Sequence, residues 1–452
     1  MRNEISKFKL NDIYIKSYRI LKDFRIRFDS NVSIIIGENG SGKSTLIEYI
    51  AYVFACLFSN NQKSYDYDLG VFEMNYSLGY NRLNITNNII DDNYWSPYDC
   101  PERIVVSYSG ITERLKKMIS NKFERKFVRE INKEEPVYSY SSSALNLPKN
   151  SFYYADGKYM SMIYCALVFS KNAEANNILK NIEVEESGCE IKFIFGKKYR
   201  ETQKKETKIV GKIAPVFFEM LSFLGVDEQH STLVGIFALK DMFHGFYKDI
   251  SAQEVFDILY YLKLSKWIDD IQISWKTESG NFDLEHISEG QKQELMTLGL
   301  SLVFDTPGTL FLLDEPDTYL HPKWQREFIS SLTKATANGG CAIVTSHSPS
   351  IVSDVRKEQL FILNKGRLVD TSFNNYGKEV NDILIDFFGL ESTRSKESYD
   401  RIKQLRHMIR EYKYNSDEFK DKFEEFKLLY PGDNEIPLMY LDIKRRENDK
   451  NK

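Results

Sequence analysis

Cysteines and long apolar runs are scarce in this chain of 452 residues. The five cysteines are scattered and form no Cys-x-x-Cys pair, so we expect buried free thiols in a reducing compartment. No stretch approaches the ~20 uncharged apolar residues that a membrane span needs, and the first residues lack the apolar core of a signal peptide. These absences argue against a membrane partner and predict a cytoplasmic protein.

The chain also has little excess of either charge, since 61 basic residues nearly balance 65 acidic ones. The formal net charge is only −4, so the chain has no general affinity for nucleic acid, and any such contact must be local. At this length two or three domains are expected, and an apolar fraction of 42% supports a large core. The composition is that of a large globular enzyme.

The segment from Gly37 to Ser44 has the P-loop pattern G-x-x-x-x-G-K-[ST]. An apolar run at 32–36 predicts a buried strand before it, and an apolar-periodic stretch predicts a helix after it that reaches roughly Phe58. Backbone N–H groups of such a loop converge on phosphate oxygens at a helix N-terminus. The predicted nucleotide-binding residues are Gly37, Glu38, Asn39, Gly40, Ser41, Gly42, Lys43, Ser44 and Thr45.

Four further motifs follow in a fixed order. Ser288-Glu289-Gly290-Gln291 resembles the signature of ABC-type ATPases, with Glu289 at a position that is often glycine. The run at 309–316 resembles a Walker B strand that ends in Asp314 and Glu315. Asp317 resembles the D-loop aspartate, and the strand-like 342–347 resembles the one that carries the switch histidine, His347. The chain is therefore identified as a member of the ABC-type ATPases.

This resemblance implies ATP and Mg²⁺ as ligands and a composite site in a head-to-head dimer. One subunit would supply Lys43 and Ser44, with Ser44 and Asp314 as metal ligands. Glu315, Asp314 and His347 would be the catalytic residues, and Asp317 would line the nucleotide. Ser288 and Gly290 would come from the other subunit.

The spacing of the motifs predicts an interrupted α/β ATPase head. Residues 1–95 form its first part, 96–275 an inserted lobe of helices and a β-hairpin, 276–370 its second part, and 371–452 a helical extension. Within the lobe we expect a helix in 111–131, helices over 214–224 and 255–267, and hairpin strands at 182–184 and 191–195 around Ser187-Gly188. The opening phrase at 18–24 resembles RecF-, SMC- and OLD-type heads rather than transporter heads.

A basic run at 196–208 follows the predicted hairpin. Its residues Lys197, Lys198, Arg200, Lys204 and Lys205 are the best local candidates for contact with a DNA or RNA backbone. A solvated hairpin tip explains the same charges. Both interpretations stay open.

One expected residue is missing. The strand predicted at 103–108 resembles the one after which ABC-type heads place a glutamine near Mg²⁺, yet no glutamine lies between Gln62 and Gln203. Ser107, Ser109 or water would take its place, or the strand is wrongly aligned.

The C-terminal region lacks the acidic pattern of the Toprim nuclease that many OLD-type relatives carry. The phrase at 377–384, together with Tyr108-Ser109-Gly110, instead resembles PtuA-type ATPases of Septu and retron-associated anti-phage systems. That resemblance implies an ATPase that senses infection and controls a separate nuclease subunit of HNH or Toprim type, and that does not cut nucleic acid by itself. The alternatives are a RecF-like DNA repair or replication ATPase and a nucleotide-locked scaffold.

Overall fold

A computed structural model describes residues 7–58, 69–86, 89–90, 100–108, 114–132, 151–182, 189–203, 213–224, 231–246, 249–277, 280–352, 355–369 and 394–450. The chain divides into two compact units, Met1–Lys378 and Glu379–Lys452. Within these ranges, no helix is long and apolar enough to cross a membrane. The phrase at 377–384, the turn at Ser187-Gly188, and Ser109, Lys204 and Lys205 lie outside the described residues.

Sixteen strands occur in the described ranges of the first unit. They are β1 (Phe8–Tyr18), β2 (Leu21–Arg27), β3 (Val32–Ile36), β4 (Phe72–Leu78), β5 (Asn81–Thr86), β6 (Ile89–Ile90), β7 (Arg103–Tyr108), β8 (Phe152–Tyr154), β9 (Cys189–Phe195), β10 (Ser231–Gly235), β11 (Ile268–Thr277), β12 (Gly280–Asp283), β13 (Thr309–Asp314), β14 (Cys341–Ser346), β15 (Leu360–Asn364) and β16 (Arg367–Val369).

The described α-helices lie between these strands, except for the last three, which belong to the second unit. They are α1 (Lys43–Phe58), α2 (Arg114–Met118), α3 (Arg125–Ile131), α4 (Met160–Leu167), α5 (Ala173–Asn181), α6 (Lys197–Gln203), α7 (Ala214–Leu224), α8 (Ile236–Phe246), α9 (Ala252–Leu264), α10 (Glu289–Glu294), α11 (Leu300–Val303), α12 (Pro322–Ala335), α13 (Pro349–Val352), α14 (Lys396–Arg410), α15 (Asp417–Leu429) and α16 (Glu435–Lys450). Turns of π-helix at Ile119–Glu124 and Leu295–Gly299 join α2 to α3 and α10 to α11.

A seven-stranded sheet positions the motifs. Its order is β16-β15-β3-β14-β13-β7-β8, and every neighbouring pair is parallel except β15 with β16. Strands β3, β13 and β14 are buried along their whole length, as expected of the apolar runs of a sheet covered on both faces. The predicted strands around the P-loop and the Walker B acids are therefore confirmed, and their carboxyl ends meet at one edge.

A second, antiparallel sheet packs against the first through helix α1. Its order is β2-β1-β4-β5-β6, and strand β2 alternates buried and exposed residues as predicted. Apolar residues of both sheets and of α1 form one core, including Phe8, Ile13, Phe54, Tyr76 and Ile343. The predicted helix after the P-loop is confirmed, since α1 ends at Phe58.

Strands β7 and β8, which fall within the predicted lobe 96–275, belong to the seven-stranded sheet, and a separate four-stranded antiparallel sheet has the order β10-β9-β11-β12. The strand predicted at 191–195 is confirmed within β9, but its pairing with 182–184 in a hairpin is wrong. Residues 183–184 lie outside the described residues. Ile182 caps the end of helix α5, which starts at the N-cap Asn172, and β9 pairs with β10 and β11 instead. Ala175, Ile178 and Ile182 are buried at helical spacing. Ile182 therefore belongs to the end of the helix, although the sequence Ile-Glu-Val also alternates as a strand would. Helix 214–224 is confirmed, and the helix predicted over 255–267 is α9, three residues earlier.

A buried ion pair fastens helix α9 to the seven-stranded sheet. Arg103, at the start of β7, is 1% exposed and donates to both carboxylate oxygens of Asp257 on α9, at 3.2 and 2.8 Å. Tyr153 on β8 donates to the same carboxylate at 2.8 Å. Because a buried carboxylate left without this cation is costly, the pair fixes α9 beside the sheet.

The described residues of the second unit form three helices. Phe419, Phe423 and Phe426 of α15 are buried with residues such as Leu405 and Ile409 of α14. These apolar side chains thus pack within their own unit. Leu429, at the end of the same helix, is 50% exposed, and Leu428, Leu438 and Leu441 are exposed to a similar or greater degree.

Candidate functional site

The P-loop joins strand β3 to helix α1 at the carboxyl edge of the seven-stranded sheet. A Cβ atom at Gly37 would lie 2.1 Å from the carbonyl oxygen of Leu363, so only glycine fits there. Gly42 has φ +111°, a conformation that other residues rarely adopt. The carbonyl of Ser41 accepts a 2.8 Å bond from the N–H of Gly366, which anchors the loop to the turn between β15 and β16.

Lys43 is a buried cation in the loop. Its Nζ donates to the carbonyl oxygens of Gly37 and Glu38 at 2.8 and 3.2 Å. Burial lowers the pKa of Lys43, and the nearby carboxylates of Glu315, Asp314 and Asp317 oppose this effect. The ammonium therefore lies within the field of all three acids that end or follow strand β13.

Asp314 is 2% exposed and is held by hydroxyl groups. Thr345 Oγ1 donates to Asp314 Oδ1, and Ser44 forms a hydrogen bond with the same carboxylate. Burial raises the pKa of Asp314, whereas these two hydrogen bonds lower it. The contact between Ser44 and Asp314 joins the P-loop to the Walker B strand. A hydroxyl and a carboxylate side by side are oxygen ligands of the type that Mg²⁺ prefers.

Glu315 has a strained backbone with φ +49°. Its N–H donates to the carbonyl and hydroxyl oxygens of Thr345 at 3.0 and 3.2 Å, and Thr318 Oγ1 donates to its carbonyl at 2.8 Å. A left-handed non-glycine residue costs roughly 1–3 kcal/mol and persists where surrounding bonds determine it. Glu315 Oε1 lies 3.3 Å from Nδ1 of His347, whose side chain is 46% exposed. A carboxylate and an imidazole thus face each other at the rim of the site.

Asp317 is buried and lies close enough to Glu315 and His347 for their charges to affect it. Ser346 Oγ donates to Asp317 Oδ2 at 2.8 Å, and the carbonyl of Asp317 accepts from Gln325 Nε2 at 3.1 Å. Burial raises the pKa of Asp317, an effect that the bond from Ser346 opposes.

Two buried polar atoms at the site have no hydrogen-bond partner among the described residues, Ser41 Oγ and Asp317 Oδ1. An unsatisfied buried group costs about 1–3 kcal/mol, so such atoms call for a ligand. The Ser41 hydroxyl can donate to a phosphate oxygen, and Asp317 Oδ1 can accept from a hydroxyl or water. Together with Ser44, Asp314 and the glycine loop, these atoms fit a magnesium nucleotide.

The signature residues lie at the start of helix α10. Ser288 is the N-cap and forms a capping box with Gln291, whose side-chain Oε1 accepts from the Ser288 N–H at 2.9 Å. Gln291 Nε2 donates in turn to the carbonyl of Asn181 at 2.6 Å. A Cβ atom at Gly290 would lie 3.1 Å from the carbonyl oxygen of Tyr319, so the helix start packs tightly on the segment after Asp317.

The described part of the basic run is a helix, α6, and its charges have partners in the protein. Lys198 Nζ donates to Asn132 Oδ1, and burial lowers the pKa of this lysine. Arg200 pairs with Asp269 at 2.8 Å, and Lys197 lies 3.4 Å from Glu201. A solvated hairpin tip is therefore wrong for residues 197–203.

Sequence reasoning missed the hydroxyls that orient the acids. Thr345 and Ser346 were part of the strand motif, but only His347 was assigned a role. Two polar residues that end an otherwise apolar buried strand were the available signal. The signature resemblance likewise gives no separate role to Gln291, although Ser-x-x-Gln before a helix predicts its capping box.

Two protein-family models match this chain. A family model described as "AAA domain" matches residues 12–242, and one described as "AAA domain, putative AbiEii toxin, Type IV TA system" matches residues 249–353. The chain is 24% identical over 433 residues to a Retron Vc95 probable ATPase of Vibrio cholerae serotype O1 biovar El Tor, which covers 84% of this chain and 79% of the relative.

Two further relatives differ in extent. The Septu protein PtuA of Bacillus thuringiensis is 23% identical over 406 residues, covering 83% of each chain. The DNA replication and repair protein RecF of Bacillus cytotoxicus is 28% identical over 142 residues, which cover 31% of this chain and 34% of that protein.

Proposed function

The chain belongs to the AAA domain family, and from this premise we propose that it is an ATP-hydrolysing subunit of an anti-phage defence complex. The observation that carries the proposal is the meeting of Lys43, Ser44, Asp314, Glu315 and His347 at one sheet edge. The similarity to a retron ATPase and to PtuA spans more than four fifths of the chain, whereas that to RecF spans less than a third. We therefore prefer a defence function to a repair function.

Each residue of the cluster would contribute a separate effect to phosphoryl transfer. The loop N–H groups and Lys43 would bind the phosphates. Ser44 and Asp314 would hold Mg²⁺, which when bound neutralises charge on phosphate oxygens. Glu315 would accept a hydrogen bond from the attacking water and orient it. His347, 3.3 Å from Glu315, would hold that carboxylate in place. It would also donate a hydrogen bond to the γ-phosphate and so stabilise the developing charge.

We further propose that the site is completed by a second copy of the chain. The capping box and the tight contact of Gly290 give the signature a defined shape at a helix start. A two-fold head-to-head dimer would place Ser288 and Gly290 of each subunit over the nucleotide of the other. Nucleotide binding would thus be coupled to association.

Dimerisation supplies the experiment that tests this proposal. Glu315→Gln protein with ATP and Mg²⁺ should double in mass by light scattering, because the substitution leaves phosphate binding intact and blocks the hydrolytic step. The matched control combines it with Lys43→Ala, which removes the phosphate-binding ammonium and should keep the chain monomeric. A Glu315→Gln protein that binds ATP yet shows no new association would contradict the composite site.

The defence role adds a partner to this cycle. We propose that the ATP state of the dimer holds or releases a separate nuclease of HNH or Toprim type, and that infection changes this state. The chain would not cut nucleic acid by itself. A direct contact with DNA or RNA through the basic run would require Lys198 and Arg200 to leave Asn132 and Asp269, and so would cost those interactions.

A further inference from the structure

A second recess lies apart from the P-loop cluster. It is a cavity of about 290 Å³ between helix α5, the signature helix with its π-helical turn, and helix α12. Leu298, Leu302, Leu320 and Phe328 form apolar parts of its wall, and the ring of Trp324 lines it as well. This volume suits a small organic molecule rather than a single water or ion.

The buried charge on this wall is a carboxylate. Glu294, at the end of α10, is 8% exposed. Its Oε1 accepts a 3.2 Å bond from Asn181 Nδ2, while Oε2 is buried without a hydrogen-bond partner in the described chain. Burial raises the pKa of Glu294, and the carboxylates of Glu174 and Glu327 add to this effect.

The other charged residues of the lining lie nearer to solvent. Lys180, Lys323 and Glu327 are exposed, and Glu174 is already paired with Lys334 at 3.1 Å. The exposed rim therefore carries charges of both signs, whereas the buried ionisable group of the lining is the acid Glu294. A buried acceptor that lacks a donor gains most from a charged donor, which restores the lost solvation and forms a short hydrogen bond.

We propose that this cavity binds a small organic cation, a guanidinium or ammonium head on a short apolar stem, with the head paired to the Glu294 carboxylate, whose covered Oε2 would rotate toward it. The stem would lie along Leu298 and Phe328. Trp324, which also lines the cavity, offers an aromatic group that attracts a cation.

The position of this cavity connects it to the signature. Asn181 donates from its side chain to Glu294 and accepts, through its carbonyl, from Gln291 of the capping box. A cation on Glu294 therefore acts through Asn181 on Gln291, the residue that accepts a hydrogen bond from Ser288. Occupancy of the cavity and closure of the dimer should influence each other reciprocally, a step that rests on the proposed function.

The test uses butylguanidinium as the probe and the isosteric, uncharged butylurea as its match. With nucleotide-free wild-type protein, we expect saturable heat of binding by calorimetry and a change in tryptophan fluorescence that Trp324→Phe removes. Butylurea should bind at least about tenfold more weakly. Glu294→Gln, which keeps the shape of the side chain, should lose at least about tenfold in affinity for butylguanidinium, and Glu358→Gln, an exposed control, should lose none.

Equal affinity for the charged and uncharged probes, or no saturable binding at millimolar concentration, would overturn the site. Both measurements are made without ATP, so their failure is distinct from a failure of the proposed ATPase. In Glu315→Gln protein closed by ATP and Mg²⁺, the affinity for butylguanidinium should change at least about fivefold. An unchanged affinity would overturn the connection to the signature.

Discussion

Replacement of Glu315 by glutamine should stop hydrolysis without preventing ATP binding. The backbone at this position is fixed by Thr345 and Thr318, through bonds that involve only main-chain atoms of Glu315. The strained φ of +49° is therefore expected to survive the substitution. Glutamine also keeps the length of the side chain and an oxygen that faces His347, so the variant loses the carboxylate charge and little else.

The size of the effect follows from that single loss. An amide oxygen is a poor proton acceptor, and loss of a general base usually slows a reaction by roughly 10²–10⁴-fold. This corresponds to about 3–5 kcal/mol in the activation free energy. Phosphate binding by the loop and Lys43 uses other atoms and should change by less than a factor of about three.

The assay is release of inorganic phosphate in a single turnover with Mg²⁺ and ATP, paired with the dissociation constant of a fluorescent nucleotide. Glu358→Gln, on an exposed turn of the same unit, is the control for the chemical change alone. Equal phosphate release by wild type and Glu315→Gln would refute the assignment. A tenfold loss of nucleotide affinity would instead show that Glu315 serves binding rather than chemistry.

Three other outcomes are expected. Lys43→Ala should lower nucleotide affinity at least tenfold in the same titration, because it removes a charge-assisted phosphate contact, and unchanged affinity would contradict this. Leu438→Asp with Leu441→Asp, at exposed apolar positions, should reduce co-purification with the proposed nuclease partner but spare ATP turnover; Glu424→Gln is the control. Burial raises the pKa of Asp305 to about 6, so this carboxyl stabilises the fold fully below its ordinary value near 3.8 and less as pH rises through 6. The melting temperature of Asp305→Asn relative to wild type should therefore rise as pH increases from 3.8 to about 6 and stay level above that, and a difference that is constant over this range would contradict the raised pKa.

The sequence was most informative where a single chemical requirement restricts several consecutive residues. The P-loop, the apolar strands before and after it and the helix to Phe58 were predictable because phosphate binding and burial on both sheet faces restrict the residues strongly. The end of helix α5 was not predictable, because the residues around Ile182 fit both a helical and an alternating apolar pattern.

Side-chain partners across the sheet were also beyond sequence reasoning. The bond between Thr345 and Asp314 depends on the parallel register of β13 with β14, which places the two residues opposite each other. The pair of Arg103 with Asp257 joins residues 154 positions apart, and neither residue lies in a recognisable motif. Such contacts follow from topology, and topology follows from all the strands together.

The pairing of β3 has a consequence for synthesis on the ribosome. Both sheet neighbours of this strand come from the far end of the head, with Ile36 opposite Ser346 on one side and Ile362 on the other. At roughly 5–20 residues per second, the chain needs about 15–60 s after β3 to produce them. Gly37, which lies against Leu363, cannot reach its final environment before that. Incomplete chains would therefore lack the complete P-loop environment. A fragment that ends before β14 should not bind ATP as the whole chain is proposed to do.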